Sequence, residues 1–237
     1  MQYNWSHLTR KGLYDTLYKL KSEIVGKTLT PKEFKARIVS GLCSLPIKVR
    51  VIKHIISEPK IVYIGGCYYA SEDSLGKTSI EVHFHYYPQD SFIAISHKRW
   101  RRVCTLFADT VLHELIHMKQ ARARKFKDCL PFVSDCIIKS QRAQQEYYGS
   151  KDEMEAFAFN IACELYDAYN GNISKIHTAI EKNKIHEVKN TTFLNYLIAF
   201  DFEYQHPVIK KMKRLILKSI DCAAQGKPFK SSRHLTR

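Results

Sequence analysis

His113-Glu114-Leu115-Ile116-His117 lies inside a segment, Arg102 to Arg124, in which Val103, Leu106, Phe107, Thr110 and Val111 recur at the spacing of one helical face. Residues four apart share a face of a helix, so the two imidazoles can grip one metal ion, while Glu114, one position after the first, points at the water on the ligand side. Neutral imidazole is a good zinc ligand. Two histidines leave room for a third protein ligand and a water, and that open position separates a catalytic site from a closed structural one. Bound zinc lowers the pKa of its water to about 7 and polarises a carbonyl. A carboxylate placed like Glu114 then takes the water's proton and passes it to the leaving amine. Two surface histidines one turn apart would spell the same letters, but a buried helix rarely carries two histidines and a glutamate without using them. The motif therefore predicts zinc on His113 and His117, with Glu114 as general base rather than ligand.

Two histidines hold zinc weakly alone, so a third ligand is expected elsewhere. The residues after the motif, Met118-Lys119-Gln120-Ala121-Arg122-Ala123, lack the glycine turn and third histidine of an H-E-x-x-H-x-x-G-x-x-H continuation, which excludes a metzincin pattern. The acidic candidate segment is Ser150-Lys151-Asp152-Glu153-Met154-Glu155-Ala156-Phe157-Ala158-Phe159-Asn160-Ile161-Ala162, whose Glu153 is separated from His117 by the 35 residues 118 to 152. Two glutamates compete there. Glu153 also completes a Ser150-x-x-Glu153 capping box, whose only role would be to satisfy the first amides of a helix, and Glu155 also reads as an exposed helix carboxylate.

This second segment resembles the third-ligand helix of the glutamate zincins (gluzincins), in which a ligand glutamate is followed three residues later by a small residue that lets two helices pack closely. Glu153 with Ala156 matches that pattern, and Glu155 with Ala158 and Ala162 matches it too. The Glu-x-x-Ala-aromatic-Ala run that begins at Glu153 resembles small zincin-like peptidases of phage genomes and, more distantly, peptidases of the ImmA/IrrE type. Glu153 is therefore the preferred third ligand and Glu155 the alternate. The resemblance covers about residues 100 to 170, with specific motifs only in the two helices. DNA-repair proteases of the SprT type share the H-E-x-x-H but tend to carry a cysteine-rich zinc ribbon that this chain lacks. The chain departs from many gluzincins in having Phe157 or Phe159 where an aspartate would orient a zinc histidine, which leaves Asp109 or Asn160 as candidates for that role. Tyr147, Tyr148, His83 and His85 are candidate transition-state donors.

Composition bounds the rest. A chain of 237 residues with 45% hydrophobic content can bury a sizeable core, and it reads as one zincin-like domain over 1–237, with a helical N-terminal region (about 1–45) and a helical C-terminal region (about 172–224). Lysine and arginine number 38 against 23 acidic residues, a net charge of +15 that favours nucleic acid or another polyanion as partner. The segments Lys98-Arg99-Trp100-Arg101-Arg102 and Lys210-Lys211-Lys213-Arg214-Lys218 concentrate that charge. The second also fits the solvated face of an amphipathic helix whose apolar face is Ile209, Met212, Leu215, Ile216 and Ile220. The seven cysteines contain no C-x-x-C pair, so they read as reduced thiols and not as a zinc ribbon or disulfide framework. Met1 to Lys11 has no apolar core of a signal peptide, and the stretch around Phe193 to Phe200 is too short to span a bilayer, so a cytoplasmic protein without membrane contact is expected.

Along the chain, helices are expected over Leu8–Ile24 and from Thr30 towards Leu42. Strands follow at Lys60–Gly66, Ser79–Tyr87 and Ser91–Ser96, the last two as a hairpin around Pro88-Gln89-Asp90. The motif helix is expected to end in the cationic cluster Arg122, Arg124, Lys125 and Lys127 before the Leu130-Pro131 break. Four further helices then follow: Asp152–Tyr169, Ser174–Lys184, Thr192–Phe202 and Pro207–Ala224, with a frayed tail from Gln225. The fold class is α+β and zincin-like, mainly helical, with a small, mostly antiparallel sheet preceding the motif helix. Two functions fit. One is a zinc metalloendopeptidase that lays an extended protein or peptide substrate against an edge strand, for which Ile80–Tyr86 is a candidate. The other is a basic nucleic-acid-associated protein that uses a zincin scaffold with little or no peptidase activity.

Overall fold

The computed structural model describes residues 5–54, 62–127, 140–188 and 191–228, and it is α+β, mainly helical with a small sheet. The chain divides into two compact units, Met1–Leu130 and Pro131–Arg237.

The first unit opens with helix α1 (Arg10–Tyr18), started by the Thr9 hydroxyl accepting from the Gly12 amide, and the short α2 (Lys21–Ile24). The expected single helix over Leu8–Ile24 is therefore interrupted. At the break the Leu20 amide bonds back only three residues, to Leu17, a tighter turn than the α-helix allows. The apolar spacing still predicts burial, because Leu13, Leu17, Leu20 and Ile24 are all in the core. Strand β1 (Thr28–Leu29) leads to α3 (Pro31–Gly41), where Thr30 and Glu33 form a complete capping box. Then come β2 (Ile47–Lys53), β3 (Tyr63–Tyr68), the short α4 (Ala70–Ser74), β4 (Ile80–Tyr86), β5 (Ile93–Ala94) and the long α5 (His97–Ala123).

Pairing corrects the expected hairpin. β4 lies between two partners in the order β2-β4-β3, parallel to β2 and antiparallel to β3, while β5 pairs antiparallel with β1. The turn after Tyr86 reads locally like a hairpin, but β2 takes that edge of β4. Two of the three pairings are antiparallel. β2, Ile47-Lys-Val-Arg-Val-Ile-Lys53, was not recognised in the sequence although it is as long as β4; unlike β4, it has no buried residue and most of its residues are half-buried. The face of β4 bearing Ile80, Val82 and Phe84 is fully buried, and Phe84 meets Phe34 of α3 and Phe107 of α5.

Helix α5 is the axis of this unit. Ser96 caps its start, and Trp100, which looked like one aromatic in a basic run, is wholly buried while Lys98, Arg99, Arg101 and Arg102 remain exposed. Its end is set locally by Lys125 and Phe126, both left-handed (φ 54° and 61°), with the Phe126 amide returning 2.8 Å to the Ala121 carbonyl. The helix thus stops before Leu130-Pro131, which lie outside the described residues. Of the cationic cluster there, Arg122 grips Asp73 through two bonds, Nε–Oδ2 at 2.7 Å and Nη2–Oδ1 at 2.6 Å, and the Tyr68 hydroxyl donates to the same carboxylate at 2.9 Å. Asp73 is only 4% exposed, so Arg122→Met leaves a buried charge short of its main partner. We expect a stability loss of at least about 2 kcal/mol by urea unfolding. A loss below about 0.5 kcal/mol would show that water or Tyr68 alone satisfies the carboxylate.

The second unit is helical: α6 (Gln141–Gly149), α7 (Lys151–Ala168), α8 (Ile173–Glu181), α9 (Phe193–Ala199) and α10 (Pro207–Ala224). Four of these match the expected helices. α6 was not expected, since its polar run Gln141-Arg-Ala-Gln-Gln-Glu146 buries no residue. α10 packs along α7 through Ile209, Met212, Ile216 and Ile220, which leaves Lys210, Lys211, Arg214 and Lys218 as its exposed face. Glu164 of α7 holds the start of α9, accepting from the Thr192 amide at 2.7 Å and from the Thr191 hydroxyl at 3.0 Å. Of the cationic tail, Lys227 is described, whereas Lys230 to Arg237 lie outside the described residues. Among the described residues, no helix is long and apolar enough to cross a membrane.

Candidate metal centre

Each motif side chain is positioned by α5. The apolar stripe buries one side of the helix, and one turn of it carries His113, Glu114 and His117 to the same side, with His113 and Glu114 buried and His117 half-buried. The two Nε2 atoms lie 3.1 Å apart and the rings cross at 72°. Two nitrogens bound tetrahedrally at the usual zinc distance sit about 3.3–3.4 Å apart, so the pair fits a shared zinc ion with little adjustment. His117 Nδ1 lies 3.0 Å from the Gln120 side-chain oxygen, which accepts its proton and leaves Nε2 as the ring's lone-pair nitrogen.

β3 crosses α5 at the motif. A Cβ on Gly66 would come within 2.5 Å of Thr110 Cγ2, 3.0 Å of Glu114 Oε1 and 3.1 Å of Glu114 Cγ. The bare backbone at this one position lets the strand press on the general-base candidate and fix its side chain from the sheet side. Gly66→Ala should therefore cost about 1–3 kcal/mol of stability through overpacking. The nearest clash is with Thr110 Cγ2 and the flexible Glu114 side chain comes next, so if Glu114 serves as general base the variant should also lower cleavage at unchanged zinc content. Unfolding curves with parallel zinc and activity assays check this, and a variant equal to the parent in all three would remove Gly66 from the account.

The remaining candidates are distributed as follows. Asp109 pairs bidentately with Arg10 of α1, Nε–Oδ1 at 2.5 Å and Nη2–Oδ2 at 3.1 Å, a tie between α1 and α5 that the sequence did not reveal. Glu153 and Glu155 lie in the first turns of α7, half-buried, and Asn160 lies two turns further along, also half-buried. The Ser150 hydroxyl caps the start of α7, accepting from the Glu153 amide at 3.4 Å, and the Ser150 amide donates to the Tyr147 carbonyl at 3.1 Å. The Glu153 carboxylate stands close to Tyr196, whose phenol is held well above its ordinary pKa by burial first and by Glu153 second. Tyr147 and Tyr148 join Phe157 and Tyr196 in an aromatic cluster of the second unit.

His83 and His85 do not face Glu114. Gly66 is the register partner of Val82, and the Gly66 face is the one packed on α5, so alternation turns His83 and His85 to the opposite face of β4. Sequence reasoning missed Gln120 and Gly66. The available signals were a glutamine one turn after His117 on the same face and a Gly-Gly pair inside a strand. Comparison of the chain with protein-family models, curated proteins and solved structures returned no match.

Proposed function

We propose that this protein is a zinc-dependent metalloendopeptidase of the gluzincin kind, with His113, His117 and Glu153 as its zinc ligands and Glu114 as general base. The observation that carries the reading is the convergence of the two imidazole Nε2 atoms at 3.1 Å beside a buried glutamate on one helix. Zinc held there supplies a polarised carbonyl and a water whose pKa falls to about 7. The chain's own residues supply the rest. Glu114 takes the proton of the attacking water and delivers it to the departing amine. Gln120 holds His117 in the tautomer that presents Nε2, and Gly66 fixes the position of Glu114.

The substrate strand is reassigned. β4 carries partners on both sides and has no edge to offer, whereas among the described residues β3 is a terminal strand of the sheet and is the one packed against Glu114. An extended peptide laid along β3 gains main-chain hydrogen bonds and little side-chain discrimination. We place its action in the cytoplasm; among the described residues no helix is long and apolar enough to cross a membrane. Binding of nucleic acid through the basic surface gains no specific support: Trp100 is in the core and the α10 cations form an ordinary outer face.

The ligand assignment is tested by two single variants. Losing a ligand carboxylate should strip most of the zinc, whereas losing a helix-start glutamate should cost only about 0.5–2 kcal/mol of stability. Glu153→Ala should therefore lose zinc and Glu155→Ala should keep it, as measured by elemental analysis after gel filtration. The reverse pattern moves the third ligand by two residues to Glu155.

A further inference from the structure

A second set of metal-type donors lies on the other face of the same sheet. The pairs Cys67↔Glu81 and Gly65↔His83 flank Gly66↔Val82, so they point away from α5. Cys67 is 1% exposed, Glu81 3% and the His83 side chain 14%. His83 Nε2 lies 2.6 Å from Glu81 Oε1 and 3.8 Å from Cys67 Sγ, and one ligand atom from each of the three residues lies within 4.8 Å of the other two.

Cysteine, histidine and glutamate together suggest either a nucleophilic relay or a metal site, and the geometry separates them. A relay uses opposite nitrogens of the imidazole, one for the thiol and one for the carboxylate. Here both partners meet the same nitrogen. A nucleophilic thiol is also poised by a lowered pKa, whereas burial pushes the Cys67 thiol up to about 11, against the opposing bond from Tyr69 and with Glu114 and Glu81 adding to the rise. Three unlike donors within 4.8 Å of one another make a candidate ligand set, and thiolate, imidazole and carboxylate together suit zinc or a zinc-like ion.

We propose that Cys67, Glu81 and His83 form a second binding site for zinc or a similar divalent transition-metal ion, separate from the motif helix and independent of any peptidase activity. Cys67 releases its thiol proton to solvent as the metal–sulfur bond forms, His83 binds neutral through Nε2, and Glu81 binds as the carboxylate. Arg50 Nε at 2.9 Å and the Tyr69 hydroxyl at 3.3 Å already donate to Glu81 Oε1 and would orient it as a ligand. The ion would fasten β3 to β4 beside Gly66, where the strand presses on Glu114.

The test is a cobalt(II) titration of the full-length, metal-stripped chain carrying His113→Ala and His117→Ala, so that the motif site cannot contribute. One equivalent of cobalt should bind with a near-ultraviolet thiolate-to-cobalt charge-transfer band, and zinc should displace it. Adding Cys67→Ser, which keeps the side chain's size, should abolish that band and weaken binding by at least about 100-fold. His83→Gln, at a more exposed position, should weaken binding similarly, and circular dichroism identifies which variants are folded. Absence of the band in the double-alanine background, or its persistence after Cys67→Ser or a folded His83→Gln, overturns the proposal and leaves the three residues as a hydrogen-bonded network around a buried carboxylate.

Discussion

Glu114→Gln is expected to retain zinc and fold normally while peptide-bond cleavage falls by at least about 100-fold, the usual scale of general-base catalysis. The amide keeps the shape and polar contacts of the carboxylate beneath Gly66 but cannot accept the proton of the attacking water. Zinc should persist because the metal is assigned to the two imidazoles and Glu153, with Glu114 outside the ligand set. A peptide library supplies the substrate, and zinc analysis and circular dichroism accompany the assay. Cleavage undiminished in Glu114→Gln would indicate another base or a contaminating protease. A wild-type chain that binds zinc and cleaves nothing would favour the scaffold function over the enzyme.

The two sides of the proposed site were legible in the sequence to different degrees. The motif helix was plain because its information is local: a four-residue spacing and an apolar stripe fix which side chains share a face, and α5 places His113, Glu114 and His117 as that spacing requires. The helices of the second unit were read for the same reason, apart from α6, whose polar sequence carries no periodic apolar signal. Strand pairing was not legible. β4 alternates clearly, yet nothing in its own letters states that β2, from well upstream, will pair with it in parallel and displace the nearer β5. That error carried through to the substrate edge, assigned first to the strand that proves central. Partnerships across long sequence separations were hidden likewise: Arg10 with Asp109 and Arg122 with Asp73 join residues whose own neighbourhoods do not announce them. The Cys67–Glu81–His83 cluster depends on strand register and became visible only with it.

The zinc ion is where the account is most exposed. The wild-type chain should purify with zinc bound to the motif, and the His113→Ala, His117→Ala double variant should lose one equivalent, because the two Nε2 atoms at 3.1 Å are the only motif groups assigned to hold it and one carboxylate alone binds zinc weakly. Any zinc held at Cys67, Glu81 and His83 would remain in the double variant, so the quantity that decides is the difference between the two proteins rather than either total. Elemental analysis of both after gel filtration, with circular dichroism to confirm that the variant is folded, gives that difference directly. A difference of about one zinc per chain is the predicted result. Equal zinc content in the two folded proteins, or wild-type protein that remains metal-free after zinc is added back, would contradict the account.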